Sequence, residues 1–185
     1  DKNSPEISVL LNELTDEIIA VVGEDAKLEF PPESTLVNNF NAELALRNYN
    51  SLVQNETDII IAFGVVNNSV ISVIGSYNKP TIVFGALSKE LITDNTLVSS
   101  IKNYTSIITS QSYTDDLKVL KQLAKPTNVG VIIEKAFIEN LPIEETFSDI
   151  GQELDIEIRL IPFENFNDIT SNLEEIDAIY MAGGF

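Results

Sequence analysis

The stretch TDIIIAFGVVNNS, residues 57–69, decides the fold class. Its apolar run Ile59–Phe63 is continuous, is rich in β-branched residues and does not alternate with polar residues. Such a run is typical of a strand that is buried on both faces of a parallel sheet. Gly64 then allows a turn, and the small polar residues 67–69 begin a predicted helix.

The same alternation of strands and helices extends along the whole chain. Strands are predicted at 26–30, 59–63, 81–84, 105–109, 129–133, 156–161 and 178–181. Helices are predicted at 5–22, 35–54, 67–77, 114–124, 142–154 and 168–175, with one short helix within 86–104. The alternation indicates βαβ units. We therefore predict an α/β protein with two doubly wound parallel-sheet lobes, residues 1–110 and 111–185.

Composition and charge exclude several classes of protein. The chain has 185 residues, with 11 Lys and Arg against 29 Asp and Glu, which gives a net charge of -18. Such a surface repels the phosphates of nucleic acids and anionic lipids, so neither is an expected partner. No apolar run approaches the ~20 residues of a membrane span, so direct membrane insertion is not expected either.

The absence of Cys and His excludes thiol chemistry and every catalytic group that needs an imidazole. The chain also contains neither a Walker motif nor a GxGxxG fingerprint. The carboxylate pairs Asp115-Asp116 and Glu144-Glu145 fall at predicted helix starts, where acids interact favourably with the helix dipole. We therefore expect no catalysis, no metal and no cofactor.

Candidate binding residues follow the carboxyl ends of the predicted strands, where open parallel sheets bind ligands. The first lobe offers Asn67, Asn68, Ser69, Ala86 and Ser88, and the second offers Ser112, Tyr113, Glu134, Phe137 and Gly183. Backbone N–H groups at 67–69 would hold a ligand carboxylate, Glu134 an ammonium group, and the rings of Tyr113 and an exposed Phe137 would stack on an apolar part. Ordinary roles stay open, namely a helix cap at 67–68, a plain turn after 81–84 and a solvated loop at 134–137.

The order of these segments resembles the substrate-binding proteins of ABC transporters with a type I periplasmic-binding fold, in the branch of tryptophan and tyrosine binders. The matching segments are Thr57–Gly64, Lys79–Glu90, Asn103–Ile108, Asn128–Glu134 and Ile176–Gly184. The sequence departs from the family at Val65-Val66-Asn67, where the family has Thr-Pro-Ala. It departs again at Lys89 or Glu90, where the family has an Asp.

This resemblance implies a small polar or amino-acid-like ligand, an ABC permease as a partner, and a location in the periplasm or cell envelope. It also implies a first strand and a signal peptide or lipoprotein signal upstream, and the rest of the second lobe downstream. The sheet edge left open without that strand predicts a possible dimer. The alternatives are an envelope sensor or interaction module with the same fold and, less favoured, an enzyme that uses carboxylates.

Overall fold

The computed structural model describes residues 5–23, 28–85, 88–92, 101–170, 173 and 175–182. Its α-helices are α1 (Pro5–Val22), α2 (Ala42–Gln54), α3 (Val65–Ile71), α4 (Tyr113–Ala124), α5 (Lys135–Asn140), α6 (Ile143–Leu154) and α7 (Phe166–Thr170). Its strands are β1 (Ile60–Phe63), β2 (Thr81–Phe84), β3 (Tyr104–Ile107), β4 (Asn128–Glu134), β5 (Glu157–Phe163) and β6 (Ala178–Met181). Single turns of 3-10 helix occupy Pro32–Ser34 and Lys89–Leu91.

The strands form two small parallel sheets, and this confirms the α/β prediction at that level. The N-terminal sheet has the order β1-β2-β3, and the C-terminal sheet has the order β5-β4-β6. Every pairing is parallel, for example Ala62 opposite Val83 and Val131 opposite Leu160. The predicted boundary between the lobes, at residues 110–111, lies between β3 and β4, so each sheet is built from a separate part of the chain.

The C-terminal sheet has the burial that a central parallel strand requires. In β4, residues 129–133 are all buried, and its odd-numbered members pack against α6. The apolar side chains predicted to face inward from α6, namely Ile143, Phe147, Ile150 and Leu154, are all buried. A helix of this length is held in place mainly by such packing of one apolar face.

The N-terminal sheet is less covered than the sequence predicts. The strand β1 begins at Ile60, while Ile59 is 54% exposed. Ile60 and Ala62 are buried, but Ile61 and Phe63 are only half-buried. Among the described strands β1 pairs only with β2, so it is an edge strand, and the expectation of burial on both faces is wrong there.

Two helices begin and end elsewhere than predicted, for local backbone reasons. Asn39 and Phe40 have φ angles of 52° and 59°, which stop a helix, so α2 begins at Ala42 after an Asn41 cap. Gly64 has a φ of 106° and allows α3 to begin at once, at Val65 rather than residue 67. It ends at Ile71, before a turn that contains a second glycine with positive φ.

Three further predictions are corrected by the fold. Residues 28–30 do not form a strand, and residues 26–27 lie outside the described part of the chain. In α4, Leu117 is buried as predicted, but Val119 and Leu123 are 54% and 80% exposed. The helix packs through its first half, which leaves these later apolar side chains at the surface. The helix predicted at 168–175 begins earlier, at Phe166, and is described as far as Thr170, because residues 171, 172 and 174 lie outside the described part of the chain.

Candidate functional site

The loop after β2 meets the start of α4, so the carboxyl-end side of the N-terminal sheet contacts a helix of the C-terminal half. Ser88 is fully buried, and its side-chain oxygen accepts the backbone N–H of Tyr113 at 3.0 Å. The backbone N–H of Lys89 donates to the carbonyl oxygen of Gln111 at 2.9 Å. The Lys89 ammonium group also pairs with Asp115 at 2.8 Å, but this pair is exposed and adds little stability.

The carboxylate of Glu90 occupies the first turn of α4. It accepts the backbone N–H groups of Tyr113 and Thr114, both at 3.2 Å. The hydroxyl groups of Ser88 and Ser112 also donate to it. A helix N-terminus has unpaired N–H groups and the positive end of the helix dipole, so it is a favourable place for a carboxylate.

The pKa of Glu90 shows which of two opposing effects dominates. Burial by itself raises the pKa of this carboxyl group. Hydrogen bonds from Ser112, Ser88 and the backbone outweigh that effect and lower the pKa from the ordinary value of 4.5 to about 2. Ser88 and Ser112, both predicted as ligand-binding residues, are therefore brought together, and the group that they hold is a side chain of the protein itself.

An aromatic contact joins the two halves beside this hydrogen-bonded loop. The rings of Phe40 and Phe137 meet edge to face, with centroids 5.5 Å apart and an interplanar angle of 81°. Val65 and Leu91, from the N-terminal half, pack against the same C-terminal core as Phe40. We call the contacts of Phe40, Val65, Ser88, Glu90 and Leu91 with the C-terminal half the junction.

Phe137 and Tyr113 do not have the exposure that was expected of ligand-stacking rings. Phe137 is only 7% exposed, and residues 135–137 belong to α5 rather than to a solvated loop. Tyr113 is fully buried, and its ring stacks on Phe147 with centroids 5.0 Å apart. Because Phe137 packs against Phe40 and Tyr113 packs against Phe147, the prediction of an exposed Phe137 is wrong, and neither ring is free to stack on a ligand. Glu134 ends β4 and is half-exposed.

Asn67, which is half-buried, belongs to a small network of amide groups at the carboxyl end of β1. Its side-chain oxygen accepts the amide group of Asn38 at 2.9 Å, and its own amide donates to the carbonyl of Phe63 at 2.8 Å. Asn38 is 2% exposed and also accepts the N–H of Phe40 at 2.8 Å. The network connects α3 to the segment that carries Phe40 into the junction.

Asn68 and Ser69 differ from the prediction because α3 begins two residues early. The N–H of Asn68 donates to the carbonyl of Gly64 at 2.9 Å, and the hydroxyl of Ser69 donates to Val66 at 3.0 Å. The expectation that the N–H of Asn68 is free for a carboxylate is therefore wrong. Asn68 is 6% exposed, and its side-chain oxygen has no hydrogen-bond partner within the described residues.

The loops after β1 and β2 approach each other so closely that only glycine fits. A Cβ atom on Gly85 would lie 2.8 Å from backbone atoms of Gly64. Both residues also have a positive φ, 106° for Gly64 and 107° for Gly85. This close approach places the first turn of α3 next to the loop that leads to Ser88.

The structure thus places the predicted residues in three groups. Ser88, Ser112 and Tyr113 lie together around Glu90, Asn67–Ser69 lie in α3, and Glu134 and Phe137 lie at the end of β4 and in the helix α5 that follows it. Ala86 and Gly183 lie outside the described residues.

Residues that sequence reasoning missed are Asn38 and Phe40, because nothing local indicates that a left-handed turn directs them inward. Glu90 was indicated only through the departure from the family pattern.

Comparison with known protein families, curated proteins and solved structures found no significant match to this chain. The resemblance to transporter binding proteins therefore stays a prediction. In the described part of the chain, no group of three or more acidic side chains is arranged to hold a metal ion. Among those same residues, no helix is both long enough and apolar enough to cross a bilayer.

Proposed function

We propose that this chain is a solute-binding protein of an ABC-type uptake system in the cell envelope. Its ligand would be small and polar or amino-acid-like, held between the two sheets, with no catalysis. One observation supports this most strongly. At the junction the loop after β2 contacts the start of α4, and Phe40 contacts Phe137 in α5, the helix that follows β4; ligands of open α/β sheets bind outside the carboxyl ends of strands.

Recognition would depend on Asn68 more than on the backbone of α3. Its buried side-chain oxygen has no partner among the described residues, and a buried acceptor without a donor costs free energy. An N–H or ammonium group of a ligand would supply that donor. Because the net charge is -18, a zwitterion or a neutral polar molecule is favoured over an anion.

Glu90 would limit which ligands bind. Its carboxylate already satisfies the N–H groups of Tyr113 and Thr114, so a ligand carboxylate gains nothing there unless Glu90 leaves. The two halves would move apart to admit the ligand, and the contact between Phe40 and Phe137 would be broken in that movement.

Native mass spectrometry of the purified protein tests the proposal. We expect a small bound molecule that is lost on mild activation, and the same molecule should raise the melting temperature when it is added back. An amino-acid panel screened by thermal shift identifies its class. If native spectra show only the bare chain and no panel member changes the melting temperature, the proposal is contradicted.

The side chains that occupy the junction favour a second function, namely a sensor or interaction module. Phe40, Phe137 and the Glu90 carboxylate occupy the contact between the halves with side chains of the protein itself. A module that senses or binds other proteins, without transport, would keep such a junction permanently closed. Pulsed hydrogen exchange distinguishes the two, because a closed module protects the Tyr113 and Thr114 amides equally with and without the panel.

A further inference from the structure

The strand β5 has one edge that faces away from the rest of its sheet. Within the described residues it pairs only with β4. The N–H of Glu157 donates toward β4, to the carbonyl of Thr127 at 2.9 Å. Because alternate residues of a parallel strand bond to the same neighbour, the backbone groups of Ile158 and Leu160 point the other way. An edge of this kind is a template for an added strand.

Pro162 sets the length of that edge. It has the same parity as Ile158 and Leu160, so the position of its missing N–H faces away from β4. Proline is tolerated in strands at such edge positions, because no ladder bond is lost. An added strand could therefore pair along residues 157–161 and would end at Pro162.

A groove of about 780 Å³ runs beside this edge, between β5 and α6. Phe147, Ile158 and Leu160 form its apolar wall. Gly151 lies where α6 approaches the start of β5, and a Cβ there would lie 3.0 Å from the carbonyl oxygen of Ile156. The groove lies at the start of β5 and is distinct from the junction.

The rim of the groove is acidic. The carboxylates of Glu144 and Asp155 line it, and none of the described residues that line it is basic. Arg159 has the opposite parity in β5 to Ile158 and Leu160, so its side chain faces the other side of the sheet. With a net charge of -18 on the whole chain, this rim favours a partner that carries Lys or Arg.

We propose that this edge and groove bind an extended, basic segment of a partner protein by strand addition. The backbone of the segment pairs with Ile158 and Leu160, and alternate apolar side chains contact Phe147 and the groove wall. Its Lys or Arg side chains face Glu144 and Asp155. This site does not depend on the function proposed above.

Three synthetic peptides test the proposal against the whole chain by fluorescence anisotropy at low salt. The first alternates valine and lysine, the second alternates valine and glutamate, and the third is the lysine peptide with N-methyl groups on the edge-facing amides. We expect binding of the first and none of the second. We expect the third to bind about tenfold more weakly or worse, because it cannot complete the ladder.

Matched variants locate the site on the chain. Glu144→Gln and Asp155→Asn should each weaken binding of the lysine peptide by about two- to fivefold. Glu145→Gln is the control, since Glu145 is the exposed neighbour on α6 that does not line the groove. Leu160→Pro removes an edge N–H that does not bond to β4 and should abolish binding. If that variant does not fold, the N-methylated peptide carries the same test.

Four outcomes would overturn the proposal. The first is equal binding of the methylated and parent lysine peptides, and the second is an equal loss of affinity in Glu144→Gln and Glu145→Gln. The third is binding of spermidine that displaces the peptide and is unaffected by Leu160→Pro. The fourth is self-association of the chain that Leu160→Pro abolishes. The third result would indicate a simple cation site. The last would indicate that the edge pairs with a second copy of this chain.

Discussion

The carboxylate of Glu90 accepts the backbone N–H of Thr114 at 3.2 Å, so a loop from the N-terminal sheet terminates on a helix of the C-terminal half. The hydroxyl of Ser112, the cap residue of that helix, donates to the same carboxylate. One ionised side chain therefore connects the two halves through a helix N-terminus, where charge-assisted hydrogen bonds are strongest.

Replacing Glu90 should destabilise the protein in a pH-dependent way. Glu90→Gln loses charge-assisted hydrogen bonds worth about 1.5–3 kcal/mol of unfolding free energy at neutral pH. Because the folded-state pKa is lowered from 4.5 to about 2, the contribution is present above pH 4.5 and is lost as the pH falls toward 2. Urea titrations of the wild type and of Glu90→Gln from pH 7 to pH 2 measure this contribution.

The exposed Glu56 provides the control for this comparison. Glu56→Gln should leave the free energy of unfolding unchanged, since surface substitutions away from special features have small effects, within about 0.5 kcal/mol. A difference between the wild type and Glu90→Gln that stays constant from pH 7 to pH 2 would contradict the assigned role of Glu90.

The ring contact across the junction should be measurable as a coupling energy. Phe137→Ala removes a buried ring and should cost about 3–5 kcal/mol of unfolding free energy. In a double-mutant cycle with Phe40→Ala, the two rings should show a coupling of about 0.5–1.5 kcal/mol. Strictly additive losses would mean that the rings do not interact in solution.

The close approach of the first two loops predicts a difference between two glycines. Gly85→Ala introduces a Cβ atom 2.8 Å from the backbone of Gly64 as well as an unfavourable positive φ. It should cost about 2–4 kcal/mol of unfolding free energy. Gly75→Ala has a positive φ but open space around the added atom, so it should cost only about 1–2 kcal/mol.

Thermal unfolding of the two alanine variants under the same conditions checks this difference. If Gly75→Ala proved as damaging as Gly85→Ala, the close contact between the loops would not be the dominant effect, and backbone strain alone would explain both losses.

The parts of the fold that sequence patterns predicted are those with strong periodicity. The inward face of α6 repeats Ile143, Phe147, Ile150 and Leu154 at helical spacing, and the apolar run in β4 is continuous; both were located correctly. In each case several apolar residues of one element are buried together, so a contact with one neighbouring residue does not change whether the element is a helix or a strand.

Positions decided by single residues were predicted less well. The start of α3 depends on the φ of Gly64, and the start of α2 depends on left-handed Asn39 and Phe40, which no periodicity indicates. The exposure of Phe137 depends on its contact with Phe40, a residue nearly one hundred positions away along the chain. Long-range packing of this kind leaves no local signal.

In the candidate site, too, the general arrangement was predicted and the details that depend on single residues were not. Ser88, Ser112 and Tyr113 were chosen because ligand-binding loops follow strand ends, and the structure places these three residues close together, as the topology requires. The rule did not predict that the Glu90 carboxylate occupies the N-terminus of α4, because this depends on how a single turn of 3-10 helix directs one side chain.

Calorimetric titration of the wild type and of Asn68→Ala with the ligand identified from the amino-acid panel tests the central claim most directly. We expect Asn68→Ala to weaken binding by about tenfold or more, because the ligand N–H loses its buried acceptor. Ser69→Ala, whose hydroxyl donates to Val66 within α3, should bind like the wild type. Equal affinity of the wild type and Asn68→Ala, or no heat with any panel member, would contradict a ligand site at this end of the sheets.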